Sequence, residues 1–144
     1  MGRLLATLAL LGSASLSLAQ MPQKGLVHLM TLSQGETVVD YFIAEAVALK
    51  QPKWAPTQSA PPLTAADAIA KGRNWLKDKH RKFDAFAPED ICYRQARDGR
   101  ITFWYYAIRF NGMLGGVQVS GPTLMTVILF DGTVVEPKPG APRR

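Results

Sequence analysis

The sequence predicts an α+β domain in which one amphipathic helix packs on an antiparallel β-sheet arranged as a meander. Three observations predict it. Apolar residues recur with a helical period over 63–81, and segments rich in β-branched and aromatic residues fill 89–135. The pairs Asp98-Gly99, Asn111-Gly112 and Asp131-Gly132 separate those segments, as hairpin turns do. No strand–helix–strand alternation is present, so neighbouring strands are expected to be antiparallel.

The first nineteen residues have the pattern of a secretory signal peptide. Met1-Gly2-Arg3 gives a basic start, and Leu4 to Leu11 an apolar stretch shorter than the roughly 20 residues of a membrane span. Ser17-Leu18-Ala19 then offers the small residues that a signal peptidase reads. Cleavage would leave Gln20 first, so we expect an exported protein, periplasmic or extracellular, without a transmembrane span. An uncleaved membrane anchor is the alternative.

Composition indicates one globular domain over 20–136, because 47% of the 144 residues are apolar and 19% are charged. Without Arg3, sixteen basic residues remain against eleven acidic ones, which gives a net charge of +5. The basic residues are not interleaved with aromatic side chains that could stack on bases, so nucleic acid is not expected as a partner.

Strands are predicted over 26–49 at the N-terminal end. Leu26 to Leu32 reads as a strand, and a hairpin is expected to turn at Gln34-Gly35. Thr37 to Ile43 favours strand through its β-branched and aromatic content. Ala44 to Leu49 fits a helix equally well, but its alternation favours continuing the strand.

A proline-rich connector over 51–62 leads into the helix predicted for 63–81. Thr64 is the expected N-cap, with Asp67 three residues later near the positive end of the helix. Gly72 lies at the centre of the apolar arc. Glycine costs about 1 kcal/mol relative to alanine in a helix, so a strand or side chain is expected to approach closely there.

The remaining strands follow the turn pairs. A strand over 89–97 should turn at Asp98-Gly99 into 100–110, and Asn111-Gly112 should open a second turn. After it, the sequence fits either a short strand at 117–120 or one glycine-rich loop. Strands are then expected at 123–130 and 133–135, and 137–144 should form a disordered tail.

Two of these strands are apolar on both faces. A sheet with one covered face should alternate apolar and polar residues, but 100–110 and 123–130 do not. One helix covers one face only, so the N-terminal strands, a second copy of the chain or another protein must cover the other. We expect a contact surface on this sheet formed by Trp104, Tyr106, Ile128 and Phe130. Its partner would be an exported or envelope protein, or the chain itself through self-association.

No set of residues carries recognisable catalytic, cofactor or metal chemistry. Cys92, His28 and His80 have neither the spacing of metal ligands nor an orienting partner. We therefore predict a non-enzymatic protein without a cofactor that acts by protein contact. The alternative is a small ligand carrier or enzyme, with a pocket between helix and sheet lined by Trp75, Trp104, Tyr106 and Phe130. A third hypothesis is anion binding by the basic helix positions Arg73, Lys77 and Arg81.

Three segments resemble the PepSY-like group of small exported bacterial domains and, more loosely, cystatin-like folds with a helix on a sheet. They are the helix entry Pro61 to Ile69, the Trp104-Tyr105-Tyr106 strand and the closing run Val127 to Val134, so the resemblance spans about 61–136. It implies a non-catalytic exported module that binds or inhibits other proteins, peptidases being the proposed targets. It supplies no catalytic residues.

Overall fold

The computed structural model describes residues 24–140, so the predicted signal peptide and the last four residues of the predicted tail lie outside the described residues. The described chain forms two helices and eight strands. In chain order they are β1 (Leu26–Gln34), β2 (Thr37–Ala44), α1 (Glu45–Ala48), α2 (Ala65–Lys79), β3 (Ala85–Asp98), β4 (Ile101–Leu114), β5 (Val117–Gln118), β6 (Leu124–Leu129), β7 (Val134–Val135) and β8 (Pro137–Pro139).

The strands form two antiparallel sheets. The small sheet has the order β1-β2-β8, and the large sheet has the order β3-β4-β6-β7, with β5 paired to β4. A single residue, Glu136, connects β7 at the edge of the large sheet to β8 at the edge of the small one. The small sheet packs on one face of the large sheet and α2 on the other. The fold is therefore α+β with antiparallel sheets, in three layers.

The large sheet is buried on both faces, which explains its apolar strands. Tyr105, Val127 and Leu129 point towards the small sheet, in what we call the hairpin core. Their neighbours Tyr106 and Ile128 point towards α2, in what we call the helix core. Of the three covers that the sequence left open for the second face, the structure shows the N-terminal strands of the same chain.

Polar side chains tie the two sheets together across the hairpin core. The Tyr41 hydroxyl donates to the carbonyl of Met125 (3.1 Å), and the Tyr105 hydroxyl donates to the carbonyl of Leu29 (2.8 Å), where the β1–β2 register shifts. The Gln34 amide donates to the carbonyl of Thr123 (2.8 Å) and accepts from its N–H (3.0 Å). Burial raises the pKa of Tyr41 and of Tyr105 to about 12.

These tyrosines should make the protein sensitive to alkaline pH. Their folded pKa values lie above the ordinary value of 10.0, so the unfolded chain loses these protons first. The stability they contribute is complete below about pH 10 and is lost as pH rises through about 12. In urea denaturation at about pH 9 and about pH 11, a Tyr41→Phe/Tyr105→Phe variant should lose less stability over this interval than the unaltered chain. An equal loss in both proteins would contradict the expectation.

The helix α2 lies within the predicted range. Thr64 is its N-cap and accepts from the N–H of Asp67 (3.1 Å), as predicted. The close approach at Gly72 is also confirmed. A Cβ atom added there would lie 2.8 Å from Thr126 Oγ1 and 3.0 Å from the ring of Phe110, so strands of the large sheet pass directly against the helix.

A second helix, α1, makes the predictions of a single helix and of a strand continuing to residue 49 wrong. Ala44 pairs with Leu26, the first residue of β1, so the residues beyond it have no strand to pair with. The N–H of Glu45 instead donates to the carbonyl of Gly25 (2.9 Å), and the chain turns into α1.

Two of the three turn pairs lie elsewhere than predicted. Asn111-Gly112 lies inside β4, and the glycine there has a packing role, since a Cβ at Gly112 would stand 2.6 Å from the ring of Phe83 and force it to move. The chain turns at Gly115-Gly116, both with positive φ, and continues into the short strand β5. The last residue of β3, Asp98, pairs with Ile101, so the loop residues are Gly99 and Arg100.

The other boundaries also differ. β3 begins at Ala85 rather than at residue 89, and its register shifts between Pro88 and Asp90. Asp131 and Gly132 do lie between β6 and β7, where the N–H of Gly132 donates to the carbonyl of Leu129 (2.9 Å).

The predicted disordered tail is wrong for 137–139, which form β8. Pro137, Lys138 and Pro139 pair with Tyr41, Asp40 and Val39, and the N–H of Gly140 donates to the carbonyl of Val38 (2.8 Å). Prolines are accommodated because β8 is an edge strand, where no outer neighbour needs their missing N–H.

Candidate functional site

The structure buries three of the four predicted contact residues. Tyr106, Ile128 and Phe130 are 0%, 0% and 3% exposed in the helix core, so this part of the prediction is wrong for the folded chain. The sequence does not show how completely the helix and the connector cover this face, so it could not predict that these three side chains are buried. Trp104 is half-buried at the margin of the helix core and remains accessible.

The alternative pocket between helix and sheet is filled by side chains. The rings of Tyr106 and Phe130 lie 5.2 Å apart, and the Tyr106 hydroxyl donates to the carbonyl of Leu63 (2.6 Å). Trp75 and Trp104 do not line a common pocket, because each lies in a different cleft of the described chain.

Trp104 lines a cleft of about 360 Å³, which we call the aromatic cleft. It lies between the start of the connector and the β3–β4 hairpin. Its lining residues are Ala48, Leu49, Gln51, Lys53, Trp54, Ala55, Gln95, Arg100, Ile101, Thr102 and Trp104. Leu49 is 64% exposed at this site. The volume falls within the range of ordinary ligand sites.

Aromatic rings form one side of the aromatic cleft. Trp54, from the connector, lies edge-on to Trp104 with ring centroids 6.2 Å apart, and 5.2 Å from both Tyr93 and Phe130. The Trp54 indole N–H donates to the carbonyl of Ser59 (2.8 Å), which holds the folded connector on the sheet. Tyr93 stays 42% exposed beside Trp54. Partly exposed, rigid rings of this kind are typical of binding surfaces.

Gln51 contributes a buried acceptor to the aromatic cleft. Its amide nitrogen donates to Asp131 Oδ2 (2.8 Å) and to the carbonyl of Val47 (3.3 Å). Since an ionised carboxylate can only accept, the amide nitrogen must face Asp131. The amide oxygen, Oε1, is therefore left buried without a hydrogen-bond partner among residues 24–140.

The Asp131 carboxyl is held in its charged form. Burial by itself would raise the pKa of Asp131, but hydrogen bonds from Thr133 and from Gln51 outweigh it. The pKa of Asp131 therefore lies below its ordinary value. This carboxylate fixes the orientation of the Gln51 amide, so that Nε2 is hydrogen-bonded and Oε1 is not.

The charged side chains that line the aromatic cleft are basic, and the Asp131 carboxylate that contacts Gln51 is not itself a lining residue. Lys53 and Arg100 line the cleft, and no acidic residue is among its lining residues in the described chain. Arg97 lies close by, where its Nε donates to the Gln95 side chain (2.6 Å). Sequence reasoning missed the site because its parts come from the connector and a hairpin that are far apart in the chain.

A second cleft, of about 260 Å³, lies where the small sheet meets the end of α2. We call it the apolar cleft. It is lined by Leu32, Gln34, Thr37, Val39, Tyr41, Trp75, His80, Pro122, Thr123, Leu124, Met125 and Pro137. Gln34 and Tyr41 already make hydrogen bonds within its walls. Burial and the nearby Lys82 charge lower the pKa of His80.

Among residues 24–140, the reactive side chains His28 and Cys92 lie outside both the aromatic cleft and the helix core. Thr31 lies 3.0 Å from the His28 ring nitrogen, but its hydroxyl donates to Asp40, so His28 cannot take that proton as a base. Cys92 is half-buried, and its Sγ lies 3.6 Å from the carbonyl of Ala107. Within the described chain, no cluster of three His, Cys, Asp or Glu side chains could hold a metal.

Of the basic positions Arg73, Lys77 and Arg81, Arg73 donates from Nε to the carbonyl of Phe86 (3.0 Å) and Arg81 lies beyond the end of α2, so anion binding by this face stays a prediction.

Neither helix of residues 24–140 is long and apolar enough to cross a membrane. Comparison with protein-family models, curated proteins and solved structures finds no match to this chain. The PepSY-like and cystatin-like resemblance therefore stays a prediction.

Proposed function

We propose that this chain is an exported, non-enzymatic domain that acts by contact with another protein, and that the aromatic cleft is its contact surface. The observation that carries the proposal is the exposed edge of an aromatic cluster, Trp54, Tyr93 and Trp104, beside arginine and lysine side chains. Tryptophan, tyrosine and arginine are the residues that most often dominate the binding energy of protein interfaces.

The filled helix core supports contact over catalysis. A carrier or enzyme with its pocket between helix and sheet would need open space there, but the rings of Tyr106 and Phe130 occupy it. One surface that remains open is the aromatic cleft, where the connector and not α2 supplies the covering side chain, Trp54. Its fixed rings lose little conformational freedom on binding, which favours recognition of a partner.

A matched pair of variants tests the proposal. Leu49→Asp puts a charge at the rim of the aromatic cleft, and Val117→Asp puts one on the distant β4–β5 hairpin, at positions 64% and 68% exposed. Both should fold, since neither residue is in a core. We expect the chain from Gln20 onward to crosslink a partner in the native envelope fraction. With the purified partner, calorimetry should show affinity about 30-fold weaker for Leu49→Asp and unchanged for Val117→Asp.

The control separates the outcomes. Loss of binding in Val117→Asp alone would place the contact on the β4–β5 hairpin instead, where Leu114 and Val117 are exposed. A chain that captures no specific partner in any fraction would contradict the proposed function.

The apolar cleft favours a second candidate function, carriage of a small uncharged apolar molecule. Its volume exceeds the roughly 150 Å³ of a cavity that holds benzene. Because Gln34 and Tyr41 already have hydrogen-bond partners in its walls, the space offers mainly apolar contacts. Indole bound by the purified chain in the absence of any protein partner would favour this function over the first.

A further inference from the structure

We infer that the partner segment seated in the aromatic cleft is an acidic peptide, with a carboxylate side chain next to an apolar one. The inference rests on the proposed function and names the chemistry of that same site. Three features of the cleft bear on it: the charge of its lining, the free acceptor of Gln51 and the arrangement of its aromatic rings.

The charge of the lining residues favours a ligand of negative charge. Lys53 and Arg100 are the charged residues of the cleft, and both are cationic. Neither makes a salt bridge within 4.0 Å to a described acidic side chain. A bound carboxylate would gain a charge-assisted hydrogen bond, which the guanidinium of Arg100 can make through two parallel N–H groups.

The Gln51 acceptor selects a ligand that also donates. Oε1 is buried and lacks a partner in the described chain, and an unsatisfied buried acceptor is unfavourable. Oε1 is closed off in the unbound chain, so a ligand reaches it only when the Gln51 side chain turns towards the cleft, and a main-chain N–H would then supply the missing donor without adding charge. A peptide carries such a donor at nearly every residue, whereas an isolated carboxylate carries none.

The aromatic rings select an apolar neighbour for the carboxylate. Trp54 and Trp104 meet edge-on and line the cleft together with Leu49, so these three side chains present apolar surface to a ligand. An aliphatic or aromatic side chain can pack against that surface. Peptide segments that alternate acidic and apolar residues meet all three requirements together.

Calorimetry with two peptide pools tests the inference. Both pools are acetylated, amidated peptides with a central leucine or phenylalanine, flanked by Glu and Asp in one and by Gln and Asn in the other. We expect the acidic pool to bind at least tenfold more tightly. Its affinity should weaken several-fold at about 0.5 M salt, where screening shortens the reach of surface charges to a few ångström.

Variants of the chain locate the effect. Lys53→Gln/Arg100→Gln should reduce affinity for the acidic pool about tenfold. Lys77→Gln/Arg81→Gln removes the same charge from the exposed face of α2 and from the turn that follows it, and should leave affinity unchanged. Equal loss in both double variants would mean non-specific attraction to a basic protein and would overturn the inference.

The remaining outcomes also decide the question. Equal binding of the two pools would overturn the requirement for a carboxylate, and preferential binding of a phosphoserine pool would replace carboxylate by phosphate. If no pool binds while capture of a partner remains sensitive to Leu49→Asp, the acidic-peptide inference fails and the proposed function stands. If Leu49→Asp has no effect on capture, the proposed contact surface itself fails.

Discussion

Replacing Gly72 by valine should lower the free energy of unfolding by about 3 kcal/mol, the upper part of the usual range for overpacking. Helix propensity alone predicts the opposite sign, because valine is a slightly better helix former than glycine. The space available beside Gly72 decides the sign of the stability change. The first added carbon would stand 2.8 Å from Thr126 Oγ1 and 3.0 Å from Phe110, both buried in the large sheet.

Urea denaturation of Gly72→Val and Ala70→Val measures this effect. Ala70 is exposed on the same helix, so its substitution should cost no more than about 0.7 kcal/mol, the intrinsic penalty of valine. Similar losses in the two variants would mean that α2 does not lie against β4 and β6 at Gly72.

The alanine substitutions Tyr105→Ala and Tyr106→Ala should each cost about 3–5 kcal/mol, although the two residues are adjacent and point in opposite directions. Tyr105 is 1% exposed in the hairpin core and Tyr106 is 0% exposed in the helix core. Each hydroxyl also satisfies a main-chain carbonyl, at Leu29 and Leu63, which truncation would leave without that donor. In a sheet covered on one face, one of two adjacent substitutions would be nearly neutral.

Arg109→Ala is the control, a substitution at a solvent-facing position of the same strand. Because Arg109 is an exposed residue of β4, its substitution should change the free energy of unfolding by less than about 0.5 kcal/mol. A small loss at Tyr105 with a large one at Tyr106 would show that the small sheet does not cover the large one in solution.

Patterns that depend on near neighbours in the chain predicted the fold well. The Thr64 cap, the apolar arc centred on Gly72 and the two apolar faces of β4 follow from local periodicity. The turn pair Asn111-Gly112 misled because a distant ring, Phe83, requires the glycine inside a strand. The run of prolines near the C-terminal end misled because pairing with β2 overrides composition.

The candidate site was less predictable. Trp104 was identified from the sequence, but its neighbours in the aromatic cleft were not. Trp54 stands in a proline-rich connector that has no periodicity to assign it a face, and its contacts depend on how that connector folds back. The free acceptor of Gln51 depends on Asp131, 80 residues later in the chain, and no local pattern reveals it.

Glu136, the single residue between β7 and β8, brings the chain back to the small sheet, and this late return affects how the chain folds. The small sheet begins at Leu26 but receives its third strand only at Pro137–Pro139, which follow almost the whole described chain. Pairings of such long sequence separation form slowly, because the loop they close must be ordered first. A chain that emerges with its N-terminal end first, from a ribosome or a translocation channel, therefore holds the β1–β2 hairpin with the outer edge of β2 unpaired until Pro137–Pro139 arrive.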